Sequence, residues 1–201
     1  VAVSGEPGVF VVFGGKIIMG DRASKIKTES FDAFASINAP EVGVVQGKVQ
    51  WNKEALQTER ARLERIWQQL LKNTCVTNIC NLLEKPAILY DHIDPGVLLI
   101  KLYPGINPYL LLYARDKGYH SVLIEGFGSG GVSFREPRNL IPAIEKLIAA
   151  GITVAVTTQV PFEGVDLTRY EVGRKALQTG AISTGDMTRE AALVRLMMKN
   201  I

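Results

Sequence analysis

Hydrophobic and polar positions change their period along the chain, and each period predicts an element. Val9 to Phe13 and Lys16 to Met19 are apolar and rich in β-branched residues, and Gly14-Gly15 separates them, so they read as a hairpin or two consecutive strands. Val42 to Val49 supplies further short strand. At Asn52 the character switches abruptly. From there to about Lys72 the run NKEALQTERARLERIWQQLLK is dense in helix formers, with Leu56, Leu63, Ile66, Trp67, Leu70 and Leu71 near one face. Such a helix either docks a partner or packs on its own protein, and the second reading is the preferred one.

From Pro86 onward the pattern alternates. VLLIKL reads as a strand, NPYLLLYARDKG as a helix, SVLIE as a strand, NLIPAIEKLIAAG as a helix and ITVAVTT as a strand. Asn107-Pro108 is a helix-start signal, and Gly118 and Gly151 stand where left-handed helix stops are expected. A last helix is expected over Thr188 to Lys199, with Asp186 and Thr188 as candidate caps. Nearly continuous apolar strands joined by helices imply an α/β fold, a Rossmann-like parallel sheet covered on both faces.

Composition narrows the function classes. With 201 residues, 47% hydrophobic and 21% charged, the chain can bury a substantial core. A net charge of +3 without a Lys/Arg cluster lacks the footprint of a nucleic-acid binder, so no nucleic-acid partner is expected. The longest apolar runs, Val97 to Leu102 and Ala149 to Val156, are too short for a membrane span, and no membrane partner is expected either. The opening VAVSGEPG shows no export signal. Cys75 and Cys80 are expected to be thiols. With only His92 and His120 besides, no metal site is expected.

In a doubly wound sheet, ligands bind beyond the carboxyl ends of the strands, which points to the loops after Glu125 and Thr158. GFGSGGV, from Gly126 to Val132, either cradles an anion with backbone NH groups or is a tight structural turn; it fails the dinucleotide fingerprint because no helix opens directly from it. TTQVPFEGVDLTRY suits a small polar ligand, unless Thr157, Thr158 and Gln159 merely satisfy loop backbone. Lys25, amid Asp21, Arg22, Lys27 and Glu29, reads on composition alone as a solvated surface lysine.

Three stretches in order, GVFVVFGGKIIMGDRASKIKTESFDAFAS, IKLYPGINPYLL with IEGFGSGGV, and TTQVPFEGVDLTRYEVGRKALQTGAISTGDMTREAALVRLM, resemble the L-asparaginase family, specifically its type I cytoplasmic branch. The resemblance implies residues 1–50 as the end of an N-terminal catalytic α/β domain, 51–84 as a linker, helical here, and 85–201 as a C-terminal α/β domain. It implies an amidohydrolase that converts asparagine to aspartate and ammonia through a threonine acyl-enzyme, without cofactor, as a cytoplasmic homodimer or homotetramer. The family's catalytic lysine falls on Lys25, whose implied role is to deprotonate or orient a threonine hydroxyl. Tyr170 matches a tyrosine that family members extend toward a neighbouring subunit's substrate.

The family's glycine-flanked nucleophilic threonine and its GTD-type motif find no match in these residues, so the chain by itself is expected to be inactive. Some type I members bind asparagine at a regulatory site using a cysteine after the TQ pair and an arginine before the glycine-rich loop. Val160 and Glu125 stand at those places, and the same regulation is not expected. Two other readings stay open: the asparaginase-like subunit of a tRNA-dependent amidotransferase, and a binding module that kept the fold without the nucleophile.

Overall fold

A computed structural model describes residues 1–73 and 93–198. Two compact units are present, one reaching to Asp94 and one running from Pro95 to Met197. Cys75, Cys80, His92 and the 74–84 part of the expected linker lie outside the described residues.

In the first unit, β1 (Phe10–Phe13) and β2 (Lys16–Met19) form the hairpin announced by Gly14-Gly15, paired antiparallel from Phe10 with Met19 to Phe13 with Lys16. A short antiparallel pair follows, β3 (Ala23–Lys25) with β4 (Phe34–Ser36). The segment read as one further strand is a second hairpin, β5 (Gly43–Gln46) and β6 (Lys48–Trp51), turning at Gly47 with φ +70°. The main sheet has the order β1-β2-β5-β6.

Helix α1 (Lys53–Asn73) begins where the pattern switches, and the Asn52 side chain accepts a hydrogen bond from the Ala55 amide at 3.1 Å, as a helix cap should. Its first turns pack on the sheet of this unit. Ala55 and Leu56 are buried with Ile17, Met19 and Val42, and Leu63 lies against them.

The second unit holds the alternating series: β7 (Val97–Lys101), α2 (Tyr109–Asp116), β8 (Ser121–Gly126), α3 (Ile141–Ala149), β9 (Thr153–Thr158), α4 (Glu171–Gln178), β10 (Ile182–Ser183) and α5 (Arg189–Met197). All strand pairs here are parallel, in the order β10-β9-β8-β7. Every residue of β8 is buried, as a central strand covered on both faces requires. Val122, Ile124, Val154 and Val156 face a core with α2, α3 and α4, while Val97, Leu123 and Ala155 face Ala192 of α5. The fold class expected from the pattern is the fold observed.

Local signals act where expected. The Asn107 side chain takes the Tyr109 amide at 3.1 Å, and the Thr188 hydroxyl takes the Ala191 amide at 3.0 Å. Gly118 and Gly151 carry φ of +74° and +79°. None of the described helices is long and apolar enough to cross a membrane.

Candidate functional site

Lys25 ends β3, where it pairs across the ladder with Phe34. It is exposed, and with the following residues through Ser30 it lines an open concavity of about 500 Å³. Two bonds to the Ala33 carbonyl, from the Ile26 amide at 2.7 Å and the Lys27 amide at 3.2 Å, fasten the chain just after it. The Lys27 ammonium pairs with Asp32 and is the main cause that holds the Asp32 carboxyl below the ordinary aspartate range. Lys27 is thereby engaged, while Lys25 is an exposed residue of the concavity's lining.

Just upstream of the exposed Lys25, the charges are not all solvated. Arg22 is only 2% exposed. Its Nε donates to Glu59 Oε2 of α1 at 3.1 Å, and the same oxygen takes Arg62 Nε at 2.7 Å. Arg62 Nη2 then donates to Asp21 Oδ2. A guanidinium cannot shed its charge, so burying one demands a carboxylate. That carboxylate comes from a residue 37 positions along the chain, which periodicity does not reveal.

In the second unit, the glycine-rich loop after β8 is built by close approach. Phe127 and Gly131 form an isolated antiparallel bridge. A Cβ on Gly126 would lie 2.8 Å from the Gly130 carbonyl carbon, and one on Gly130 would lie 2.7 Å from Val165 Cγ1 and 2.8 Å from Leu167 Cδ2. One on Gly131 would meet Val172 Cγ2 at 3.0 Å. The loop is thus pressed against the 165–167 segment and the first turn of α4, as a tight structural turn would be.

The polar residues after β9 are similarly occupied. The Thr158 hydroxyl donates to the Gly128 carbonyl and accepts the Val160 amide at 3.0 Å. The Gln159 side-chain amide donates to the carbonyls of Leu102 at 2.7 Å and Glu125 at 3.0 Å. These groups tie together the carboxyl ends of β7, β8 and β9.

Tyr170 stands immediately before α4, at its N-cap position, and is 54% exposed. The Arg169 guanidinium lies over that ring, 5.5 Å from its centroid. Arg174 donates to the Thr168 carbonyl at 3.0 Å and so braces the turn before the helix. Within the same turn Asp166 accepts the Thr168 hydroxyl at 2.6 Å and its amide at 2.9 Å, and these bonds lower the Asp166 pKa. The α4 backbone comes so close to this segment that a Cβ on Gly173 would sit 2.6 Å from the Leu167 carbonyl oxygen. An exposed aromatic ring is thereby displayed on a rigid mount.

Glu125, at the end of β8, is 3% exposed and pairs with Arg189 Nη1 of α5 at 3.1 Å. Arg189 is held above its ordinary pKa chiefly by Glu190, with Glu125 contributing. Val160 is 46% exposed. No group of three or more His, Cys, Asp or Glu side chains is placed to hold a metal ion among the described residues.

Comparison with known proteins adds two family matches. Residues 96–199 match the model described as "Glutaminase/Asparaginase C-terminal domain", and residues 1–57 match "Asparaginase, N-terminal". An L-asparaginase of Thermococcus kodakarensis is 38% identical over 197 residues, 98% of this chain and 52% of its own length. A subunit of the glutamyl-tRNA(Gln) amidotransferase of Pyrococcus abyssi is 40% identical over 178 residues, 89% of this chain and 35% of its own. The chain thus spans about half, or less, of the length of these relatives. Among solved structures, the thermostable L-asparaginase from Thermococcus kodakarensis superposes with a TM-score of 0.74 at 36% identity, covering 98% of this chain and 52% of that one. L-asparaginase I from Vibrio cholerae gives 0.70 at 22% identity, over 96% and 52%, a likeness of fold.

Proposed function

Since the chain belongs to the glutaminase/asparaginase family, we propose that it is the portion of an L-asparagine amidohydrolase that carries the catalytic lysine and the C-terminal domain. The single observation behind this reading is the 38% identity to an L-asparaginase over 98% of the chain. In this reading asparagine is cleaved to aspartate and ammonia through a threonine acyl-enzyme, and the threonine comes from outside these 201 residues. Lys25, exposed on its concavity, takes a proton from or orients a threonine hydroxyl, because an alcohol is a poor nucleophile until a base is at hand. Tyr170 lends its displayed ring to the substrate side of a neighbouring subunit in a homodimer or homotetramer. The rigid mount under that ring supports such a role, since a contact across subunits gains most from a side chain whose backbone is already fixed.

The test is ammonia release from asparagine by the full-length protein, with glutamine in parallel. A folded protein that releases ammonia from neither sinks the reading. A second reading has its own support in the 40% identity to the amidotransferase polypeptide. Ammonia release that requires glutamyl-tRNA and a partner protein, and is absent with free asparagine, would select it. Cytoplasmic residence belongs to the same proposal, and fractionation of the source cells checks it.

A further inference from the structure

The charge network beneath β3 is unused by the reaction just outlined, and it joins two parts of the chain that the sequence keeps apart. We propose that Glu59 and Arg62 of α1 are positioning residues for Lys25, gripping the root of its strand; this rests on the role given to Lys25 above.

The β3–β4 pair is three residues long on each side, and the buried apolar residues directly beside it are Ala33 and Ile37. A ladder this short, with so little apolar burial, does not hold its own direction. Its direction is set where it begins. The Arg22 carbonyl accepts the Ile37 amide at 2.8 Å, and the Arg22 amide donates to Met19 at 3.0 Å, so the backbone at this residue is common to β2 and the short hairpin.

The side chains of Asp21 and Arg22 are held in a crossed grip. Two α1 residues three apart in sequence, hence on one face of the helix, present opposite charges. Glu59 holds Arg22, Arg62 holds Asp21, and the two helix residues bind each other at 2.7 Å. Signs alternate along the chain of contacts from Arg22 to Asp21, so each charge has an opposite neighbour. Because adjacent residues of the chain are held from two points, the backbone there can neither roll nor slide without breaking an ion pair.

Lys25 lies three residues beyond Arg22, roughly 10 Å along an extended strand. A pivot of roughly 6° at Arg22 therefore displaces the lysine by about 1 Å, an error that costs on the order of 10²-fold in turnover when it misplaces a catalytic group. Substrate affinity, set by other groups, is spared. The helix that does this is the one whose strong amphipathic pattern stood out from the linker the family resemblance implies.

The experiment replaces the buried pair by apolar side chains of similar volume, Arg22→Met with Glu59→Leu, in the full-length protein. Exchanging both partners of a buried pair tends to preserve or raise stability, and Arg62 keeps its ion pair with Asp21, so the fold survives while the hold on Arg22 is lost. Arg62→Leu is made beside it, since it leaves the Arg22–Glu59 pair in place and removes only the bonds from Arg62 to Asp21 and Glu59. Three quantities are read: thermal midpoint, kcat and KM for asparagine, and the reactivity of Lys25 toward an amine-labelling reagent relative to Lys48 and Lys53. The expected result for the double variant is an unchanged or higher midpoint, a kcat lower by about 10- to 100-fold, a KM within about 3-fold, and altered labelling of Lys25 alone. Arg62→Leu should show the same pattern to a smaller degree, and Glu59→Asp, which keeps the carboxylate, should retain part of the activity that Glu59→Leu loses.

Folded variants with wild-type kcat and wild-type Lys25 labelling overturn the proposal, and so does a loss of activity that only follows a fall in midpoint. Failure of the parent reading looks different: the unmodified protein shows no turnover, or Lys25→Ala retains it. Labelling of Lys25 then still reports whether α1 controls its strand.

Discussion

Replacing Gly130 by alanine tests whether the glycine-rich loop is built by contact rather than by chance composition. At this position φ is +100°, where an L-residue costs about 1–3 kcal/mol. The added methyl would sit 2.7 Å from Val165 Cγ1 and 2.8 Å from Leu167 Cδ2, against an ordinary carbon–carbon separation of about 3.5–4.0 Å. Both neighbours are buried in the larger core and have nowhere to retreat, so overpacking adds about 1–3 kcal/mol. The two effects together come to about 4 kcal/mol. Gly151→Ala is the matched control, because φ is +79° there but nothing lies within 4 Å of the added carbon, leaving about 1–2 kcal/mol of backbone strain alone. Both tryptophans, Trp51 and Trp67, precede the parallel sheet, so indole fluorescence is the wrong probe. Hydrogen exchange of the β8 amides reports opening of the right unit. If Gly130→Ala costs no more than Gly151→Ala to within about 0.5 kcal/mol, the close approach of the loop to the 165–167 segment is refuted.

Arg189→Leu leaves the buried Glu125 carboxylate without its guanidinium, and because Arg189 is itself 46% exposed, the penalty for breaking a buried pair is discounted to about 1–2 kcal/mol, read by the same exchange experiment. Asp166 should titrate below the ordinary aspartate value of 3.8, and removal of the hydroxyl by Thr168→Val should raise its midpoint in a carboxyl-detected NMR titration. Since the folded value is the depressed one, the stabilisation is present above 3.8 and disappears as pH falls through the folded value. Lys25→Ala should lower turnover of asparagine by about 10²- to 10⁴-fold. Being an exposed side chain, its loss should change urea stability by less than about 0.5 kcal/mol.

The elements that the hydrophobic pattern disclosed are those whose own residues form the core. β8 is buried throughout, and α3 turns Ala143, Ile144 and Leu147 inward, so their periods are plain in the sequence. Other elements escaped it for the same reason in reverse. α4 packs through Gly173 and Ala176, β10 is two exposed residues long, and β3 and β4 bury little, so none carries an apolar stripe. The site was legible in proportion to how local its causes are. Lys25 and Tyr170 were singled out through motifs and the caps at Asn107 and Thr188 through their neighbours, whereas the cap at Asn52 showed only as the place where the pattern switches. The burial of Arg22 and Glu125 was not, because it depends on partners far along the chain, Glu59 and Arg189.

The pairing scheme of the parallel sheet has a temporal consequence. Each of its strands bonds to the strand before or after it in the sequence, and none pairs across an intervening strand. A ribosome delivering this part of the chain from its amino end therefore finishes each neighbour in the order in which the sheet needs it, so every new strand finds its template already laid. Such near-neighbour wiring keeps loop closures short for a parallel architecture and favours rapid growth from β7 outward. The grip on β3 obeys the opposite timetable: Asp21 and Arg22 are synthesised long before Glu59 and Arg62, and the lysine's strand takes its final direction only after α1 has emerged.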